Sequence, residues 1–281
     1  MIDLANGYKG YRLVPADNPA VIAMYEDKTN NLIGASENEY VLITNPEDGR
    51  IVDKIKWQDG RFKPLYRKPL ESMATSKIKA KNVEQELAID MLMDEQTTVK
   101  TITGTWGSGK TLLSCAYAFA SLQSGRYDKI VWIRNNVEVK DSNPIGFLKG
   151  DFGNKMMVWA MPLADHMGGV DALEMYIQRG QVEIMHLGFL RGRDIHNSLI
   201  LCSEAEHLTR EHVQLLLARV AEGSTLILEG DCRQIDAKAF ERDNGLEAAI
   251  QRLRGNRLFG YVHLNESVRS DTAKLADLLG D

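Results

Sequence analysis

The sequence predicts an α/β protein with a mainly parallel sheet, preceded by a small β-rich module. Three observations carry this. From residue 82 onward short apolar strands alternate with helices, the pattern of βαβ units. A glycine-rich loop, Gly104–Thr111, sits between a strand and a helix within that region. The first 75 or so residues instead alternate apolar and polar positions between turn signals, as strands of an antiparallel meander do.

The elements follow in order. Glu39–Thr44 reads as a strand, Asn45-Pro46-Glu47-Asp48-Gly49 as a turn and Arg50–Trp57 as the returning strand. Gln58-Asp59-Gly60 then turns the chain into Arg61–Tyr66. So small a meander is expected to have little core of its own and to lean on its neighbour. Pro64, Pro69 and the polar stretch Ser72–Lys81 mark a linker, which divides the chain into a module over 1–75 and a larger domain over 76–281. Asn82–Met93 has helical apolar spacing. Strands are expected near Thr98–Thr103, Lys129–Arg134, Val182–His186, Ser198–Ser203, Thr225–Glu229 and Phe259–Leu264, with helices at Lys110–Leu122, Arg210–Ala221 and Gly245–Leu253. In a parallel sheet covered on both faces, ligands bind at the C-terminal ends of the strands.

Composition narrows the class. With 44% hydrophobic and 26% charged residues the chain is no disordered segment. No apolar run approaches the roughly 20 residues of a membrane span, and the start MIDLANGYKGYRL lacks the basic and apolar parts of a signal peptide. Cys115, Cys202 and Cys232 are odd in number and far apart, which points to reduced thiols in a soluble, cytoplasmic protein without membrane partners. The net charge is −5, yet residues 50–81 hold ten Lys/Arg against three acids, +7, leaving −12 for the rest. Lys54, Lys56 and Arg61 interleave there with aromatics such as Trp57, a pattern suited to single-stranded nucleic acid. The alternative is a solvated hairpin and a basic linker.

Gly104-Thr105-Trp106-Gly107-Ser108-Gly109-Lys110-Thr111 fits GxxxxGK[ST]. Such a loop curls backbone N–H groups around a phosphate at a helix N-terminus. Lys110 would bridge the β- and γ-phosphates of ATP and Thr111 would ligate Mg²⁺. The strand Ser198–Ser203 runs into Glu204-Ala205-Glu206, and Glu204 is the candidate to orient an attacking water, or else an exposed acid that starts the next helix. Another strand ends in Gly230-Asp231-Cys232-Arg233-Gln234, where Asp231 faces the metal or caps a turn.

Together these stretches resemble the PhoH family, ATPases with the RecA-like core of superfamily 1 helicases. The matching motifs are Asn82-Val83-Glu84-Gln85, the phosphate loop, Ile145–Asp151 (IGFLKGD), Leu190–Ile195 (LRGRDI), Ser203–Glu206 (SEAE), Gly230–Asp236 (GDCRQID) and the tail VHLNESVRS. They span about 200 of the 281 residues. The resemblance implies that Gln85 reads adenine, that Gln234 senses the γ-phosphate and that Arg269 acts as an arginine finger toward a neighbouring subunit. Arg134 ends a strand where superfamily 1 proteins touch single strands, although Asn135-Asn136 stand where the family continues Arg-Pro. Arg191 and Arg193 meet phosphate or nucleic acid, or pair with acids of the body. The basic N-terminal part is similar to the segment that joins a PIN nuclease to the ATPase in longer members. No PIN segment precedes it here, so ribonuclease activity is not expected.

One departure bears on mechanism: the family's DEAQ reads Ser203-Glu204-Ala205-Glu206, so a hydroxyl replaces the Walker B acid in the metal shell, with Asp231 as a partial substitute. The resemblance therefore implies an ATP- and Mg²⁺-dependent ATPase acting on single-stranded RNA or DNA, as a homo-oligomer up to a hexameric ring. The alternatives are a nucleotide-dependent binding or regulatory module with slow or no hydrolysis, and a small-metabolite kinase, against which GDxxQ speaks.

Overall fold

The computed structural model describes residues 7–66, 69–135, 157–233, 240 and 243–268. At the N-terminus, strand β1 (Tyr11–Pro15) pairs in parallel with β2 (Tyr40–Thr44), which runs antiparallel to β3 (Ile51–Gln58), itself antiparallel to β4 (Arg61–Pro64). Helix α1 (Pro19–Glu26) connects the two parallel strands, with Asn18 as its N-cap accepting from the Ala20 N–H at 2.9 Å. Sequence reading found neither β1 nor α1, since β1 gains its partner only across the intervening helix. The module also has its own core, correcting the expectation of little: Val14, Val21, Met24, Ala35, Val41, Ile43, Ile55 and Phe62 bury together. Side chains on the opposite face of β2, Tyr40 and Leu42, join the main core.

The polar stretch read as a linker folds into a hairpin, β5 (Leu70–Ser72) and β6 (Ser76–Ile78). Leu70 is buried in the main core, and the Thr75 N–H donates to Ser72 Oγ at 3.1 Å to close the turn. Side chain–backbone turn bonds of this kind do not show as apolar periodicity.

Beyond it, α2 (Val83–Met93) starts at the Asn82 cap. Strands β7 (Val99–Gly104), β8 (Lys129–Arg134), β9 (Val182–Met185), β10 (Ser198–Ser203), β11 (Thr225–Gly230) and β12 (Phe259–Leu264) form one six-stranded sheet in the order β12-β7-β11-β10-β8-β9, every pair parallel. Helix α3 (Lys110–Gln123) follows β7, α4 (Met161–Asp165) and α5 (Val170–Gln178) precede β9, α6 (Arg210–Leu217) precedes β11 and α7 (Gly245–Leu253) precedes β12. The expected helix Arg210–Ala221 stops at Leu217, because Val220 instead bridges Ile195 and the Ile195 N–H donates to the Arg219 carbonyl at 3.0 Å. Alternate residues of the strands enter two cores: Ile102, Trp132, Leu201 and Ile227 on the α3 side, Ile133, Ile200, Cys202 and Leu228 on the other. Both faces are covered, so the strands read as unbroken apolar runs. The arrangement is a RecA-like P-loop α/β fold. No described helix is long and apolar enough to cross a membrane.

The N-terminal sheet is tied to α2 and β12. Tyr40 donates to Asp90 Oδ2 at 2.7 Å, Lys56 pairs with Asp94 at 2.6 Å, and the Asn38 side-chain amide donates to the Phe259 carbonyl at 3.0 Å.

Candidate nucleotide site

Strand β7 delivers Gly104 to the C-terminal edge of the sheet, and the chain loops through Thr105–Ser108 before α3 begins at Lys110. Two glycines make the loop possible. Gly104 (φ 154°) backs so closely on Leu264 that a Cβ would strike its carbonyl oxygen. Gly109 (φ 96°) caps α3 in a left-handed conformation that L side chains rarely adopt. Lys110 Nζ donates to the carbonyls of Gly104 at 2.6 Å and Thr105 at 3.0 Å, so its charge lies over the loop. From the far side the Val268 N–H donates to the Gly107 carbonyl at 3.0 Å. Trp106 stands half exposed at the loop tip.

The loop opens on a cleft of about 490 Å³ lined by Lys110, Thr111, Ser203, Glu204, Glu206, Glu229 and Asp231. Glu204 follows β10 with φ 54°, ψ 47°, and its carboxylate is clasped by Arg134, whose Nε donates to Oε2 at 3.0 Å with a second contact from Nη2 to Oε1. Asp231 accepts from the Arg233 N–H at 3.0 Å, closing the turn it begins. Glu206 is buried; burial pushes its pKa up to about 8, against the backbone N–H groups of Glu206 and Asp231. Glu229 is only 1% exposed. Burial raises its pKa, partly offset by the nearby hydroxyls of Ser203, Thr111 and Ser114 and by Lys110. Neither Glu229 oxygen, nor the hydroxyls of Ser108 and Ser114, closes a hydrogen bond among the described residues.

These groups fit a nucleotide with Mg²⁺. Among the described residues no cluster of three or more His, Cys, Asp or Glu is placed to hold a metal alone. Mg²⁺ has no need of one, since it takes one or two carboxylates and completes its shell with water and phosphate oxygens.

Several expectations change. Gln85 does not present an open amide to a base: it is 3% exposed, its Nε2 donates to the Ser108 carbonyl and its Oε1 accepts from the Lys81 N–H, both at 2.9 Å. It braces the phosphate loop. Arg134, expected at a single strand, is engaged by Glu204. Lys56 is buried between Asp90 and Asp94, which removes it from any nucleic-acid surface. Lys54 pairs with Glu86 and Arg193 with Glu183, while the Trp57 ring packs edge-on against Phe62 at 4.8 Å. Arg61 and Arg191 remain exposed. Gln234, Arg269 and the IGFLKGD segment lie outside the described residues. Sequence reasoning missed Glu229, whose signal was an acid at an inward position of the apolar strand TLILEG.

A phosphate loop at the start of α3, opening on acids at the ends of neighbouring parallel strands, makes this a P-loop nucleotide-binding protein. Comparison with known proteins gives the family. The pattern described as "PhoH-like protein" matches residues 77–277, and the chain belongs to the PhoH family, which suggests a P-loop ATPase. It is 36% identical over 214 residues to Protein PhoH2 of Bacillus subtilis (strain 168), covering 72% of this chain and 48% of that protein. It is 33% identical over 202 residues to Protein PhoH2 of Mycolicibacterium smegmatis, covering 70% and 46%. To the PhoH-like protein of Bacillus subtilis (strain 168) it is 32% identical over 167 residues, covering 58% and 51%. The chain thus spans about half the length of the curated relatives it matches.

Proposed function

We propose that this chain binds ATP with Mg²⁺ in the cleft beside α3, hydrolyses it, and uses the nucleotide state to act on single-stranded RNA or DNA in the cytoplasm. The observation that carries the reading is the phosphate loop itself. Its glycine-dependent path, the N-terminus of α3 and the Lys110 ammonium all converge where a polyphosphate would lie. Lys110 would exchange its two carbonyl partners for phosphate oxygens. Bound Mg²⁺ would neutralise phosphate charge, held from the protein side through Thr111 and the acids of the cleft. Glu204 would orient the attacking water.

The clasp of Arg134 on Glu204 gives the coupling. While the pair is closed, the Glu204 oxygens are engaged by the guanidinium rather than by the attacking water, and turnover is slow. A single-strand phosphate that takes Arg134 would release it. The same clasp, with Ser203 in place of an acid, favours the second reading, a nucleotide-dependent regulatory module with little turnover. Lys77, Lys79 and Tyr66 line a groove of about 620 Å³ along β3, which supports a path for the strand over the basic segment. We take the working form to be a homo-oligomer in which Arg269 reaches a neighbour's nucleotide.

The test is phosphate release from ATP, with and without single-stranded RNA or DNA. Lys110→Ala should reduce turnover at least about 10²-fold, since it removes the main side-chain cation at the γ-phosphate. Full turnover in that variant would show the loop to be vestigial. Tight ATP binding with no turnover under any condition would favour the regulatory module.

A further inference from the structure

Ser203 puts a hydroxyl at the end of β10, where the family pattern has an acid, and the sheet order shows which carboxylate replaces it. Strand β11 lies between β7, which leads into the phosphate loop, and β10. Cys202 is in register with Leu228, so one step further along these parallel strands Ser203 and Glu229 stand side by side. Both follow, by two residues, side chains of the α3-side core, Leu201 and Ile227, and therefore face α3. Glu229 is 1% exposed and lies along the cleft. Its oxygens close no hydrogen bond among the described residues, although the hydroxyls of Thr111, Ser203 and Ser114 surround it. An ionised carboxylate so placed is strongly unfavourable unless it takes up a proton or a cation compensates it. Asp231 lies past the end of β11, its Oδ1 accepting from the Arg233 N–H. Glu206 sits beyond the strand end, against Gly230.

We infer that Glu229 is the carboxylate of the Mg²⁺ shell in this chain, taking over from β11 the position that an acid on β10 holds in the family pattern. The inference rests on the nucleotide-binding reading above and names the cation-holding residue of that site. Neighbouring strands are about 4.8 Å apart, and glutamate is one methylene longer than aspartate, so the carboxylate reaches across part of that offset. Thr111 on α3 and Ser203 on β10 would supply hydroxyls beside it.

Binding of a fluorescent ADP across a Mg²⁺ titration tests this, together with melting of the ligand-free protein. Glu229→Gln should raise the half-saturating Mg²⁺ concentration about 10–100-fold. Its ligand-free melting temperature should stay equal or rise, because an isosteric amide removes a buried charge. The double exchange Ser203→Asp/Glu229→Ser, which returns the carboxylate to β10, should restore the Mg²⁺ requirement to within a few-fold of the parent. Ser203→Asp alone sets two carboxylates side by side and should bring no gain. An unchanged Mg²⁺ requirement in Glu229→Gln overturns the inference, and a lower melting temperature with it would mark Glu229 as a structural group. A parent protein that binds no nucleotide at any Mg²⁺ concentration overturns the nucleotide reading itself, and this inference with it.

Discussion

A glutamate that is to orient water cannot at the same time be engaged by a guanidinium on both oxygens. Arg134 and Glu204 are partly exposed, 26% and 36% by side chain, so their pairing is of moderate strength and within reach of competition by phosphate. Arg134→Ala should raise basal ATP turnover several-fold and abolish its stimulation by single strands. Glu204→Gln should keep nucleotide affinity and lose about 10²-fold or more in turnover. Both are read from phosphate release beside a binding isotherm. A slower Arg134→Ala would mean that the arginine serves catalysis itself. The pair was not legible in the sequence, where the two residues lie 70 positions apart. They meet because β8 and β10 are neighbours, with Arg134 in register with Ser203.

At the scale of elements, the phosphate loop is held between the start of α2 and the chain that follows β12. Gln85 bonds the loop on one side and the Val268 N–H on the other. Removing the Gln85 amide leaves the Ser108 carbonyl and the Lys81 N–H without this partner, which costs about 1–3 kcal/mol where they stay buried. Gln85→Ala should therefore weaken binding of ATP, GTP and inorganic triphosphate by similar factors. An adenine reader would instead lose ATP binding alone, and competition of the three against a fluorescent nucleotide separates the outcomes. The spacing GxxxxGK[ST] located this loop without help from the fold. Its bracing was invisible, because a glutamine on a helix face looks the same whether it meets solvent, a base or a backbone carbonyl.

Across the whole molecule, the N-terminal sheet is joined to the larger one by charge as well as by apolar burial. Asp94 receives Lys56 and Gln58, both at 2.6 Å. Burial alone would raise its carboxyl, but the Lys56 charge and hydrogen bonds from Lys56, Thr97 and the Gln96 N–H outweigh that and bring it to about 2, against an ordinary 3.8. A carboxyl depressed on folding stabilises above its unfolded pKa, and the contribution is lost as pH falls from about 4 toward 2. Asp94→Asn should lower stability at pH 7 by about 1 kcal/mol after allowing for screening, and flatten the acid limb of a stability–pH profile from urea unfolding. An unchanged acid limb would show that the seam is held by its apolar contacts alone. The +7 of residues 50–81 suggested a surface for nucleic acid. Part of that charge is instead engaged across this seam, by Lys56 with Asp94 and by Lys54 with Glu86 on α2.

By itself the sequence determined the class of the main sheet, three of its six strands to the residue (β8, β10 and β12), and the phosphate loop. The strands and the loop are each written within a window of some ten residues, as periodicity, β-branched runs or glycine spacing, and the class in their alternation with helices along the chain. Tertiary structure decided what depends on neighbours in space. It paired β1 with β2 across α1, folded the supposed linker against the core and turned Lys56 inward. Above all it set β11 between β7 and β10, so that Glu229 stands beside Ser203 at the mouth of the cleft. Strand order in a parallel sheet is fixed by crossover connections and by which faces are buried together, and no local stretch of sequence encodes it.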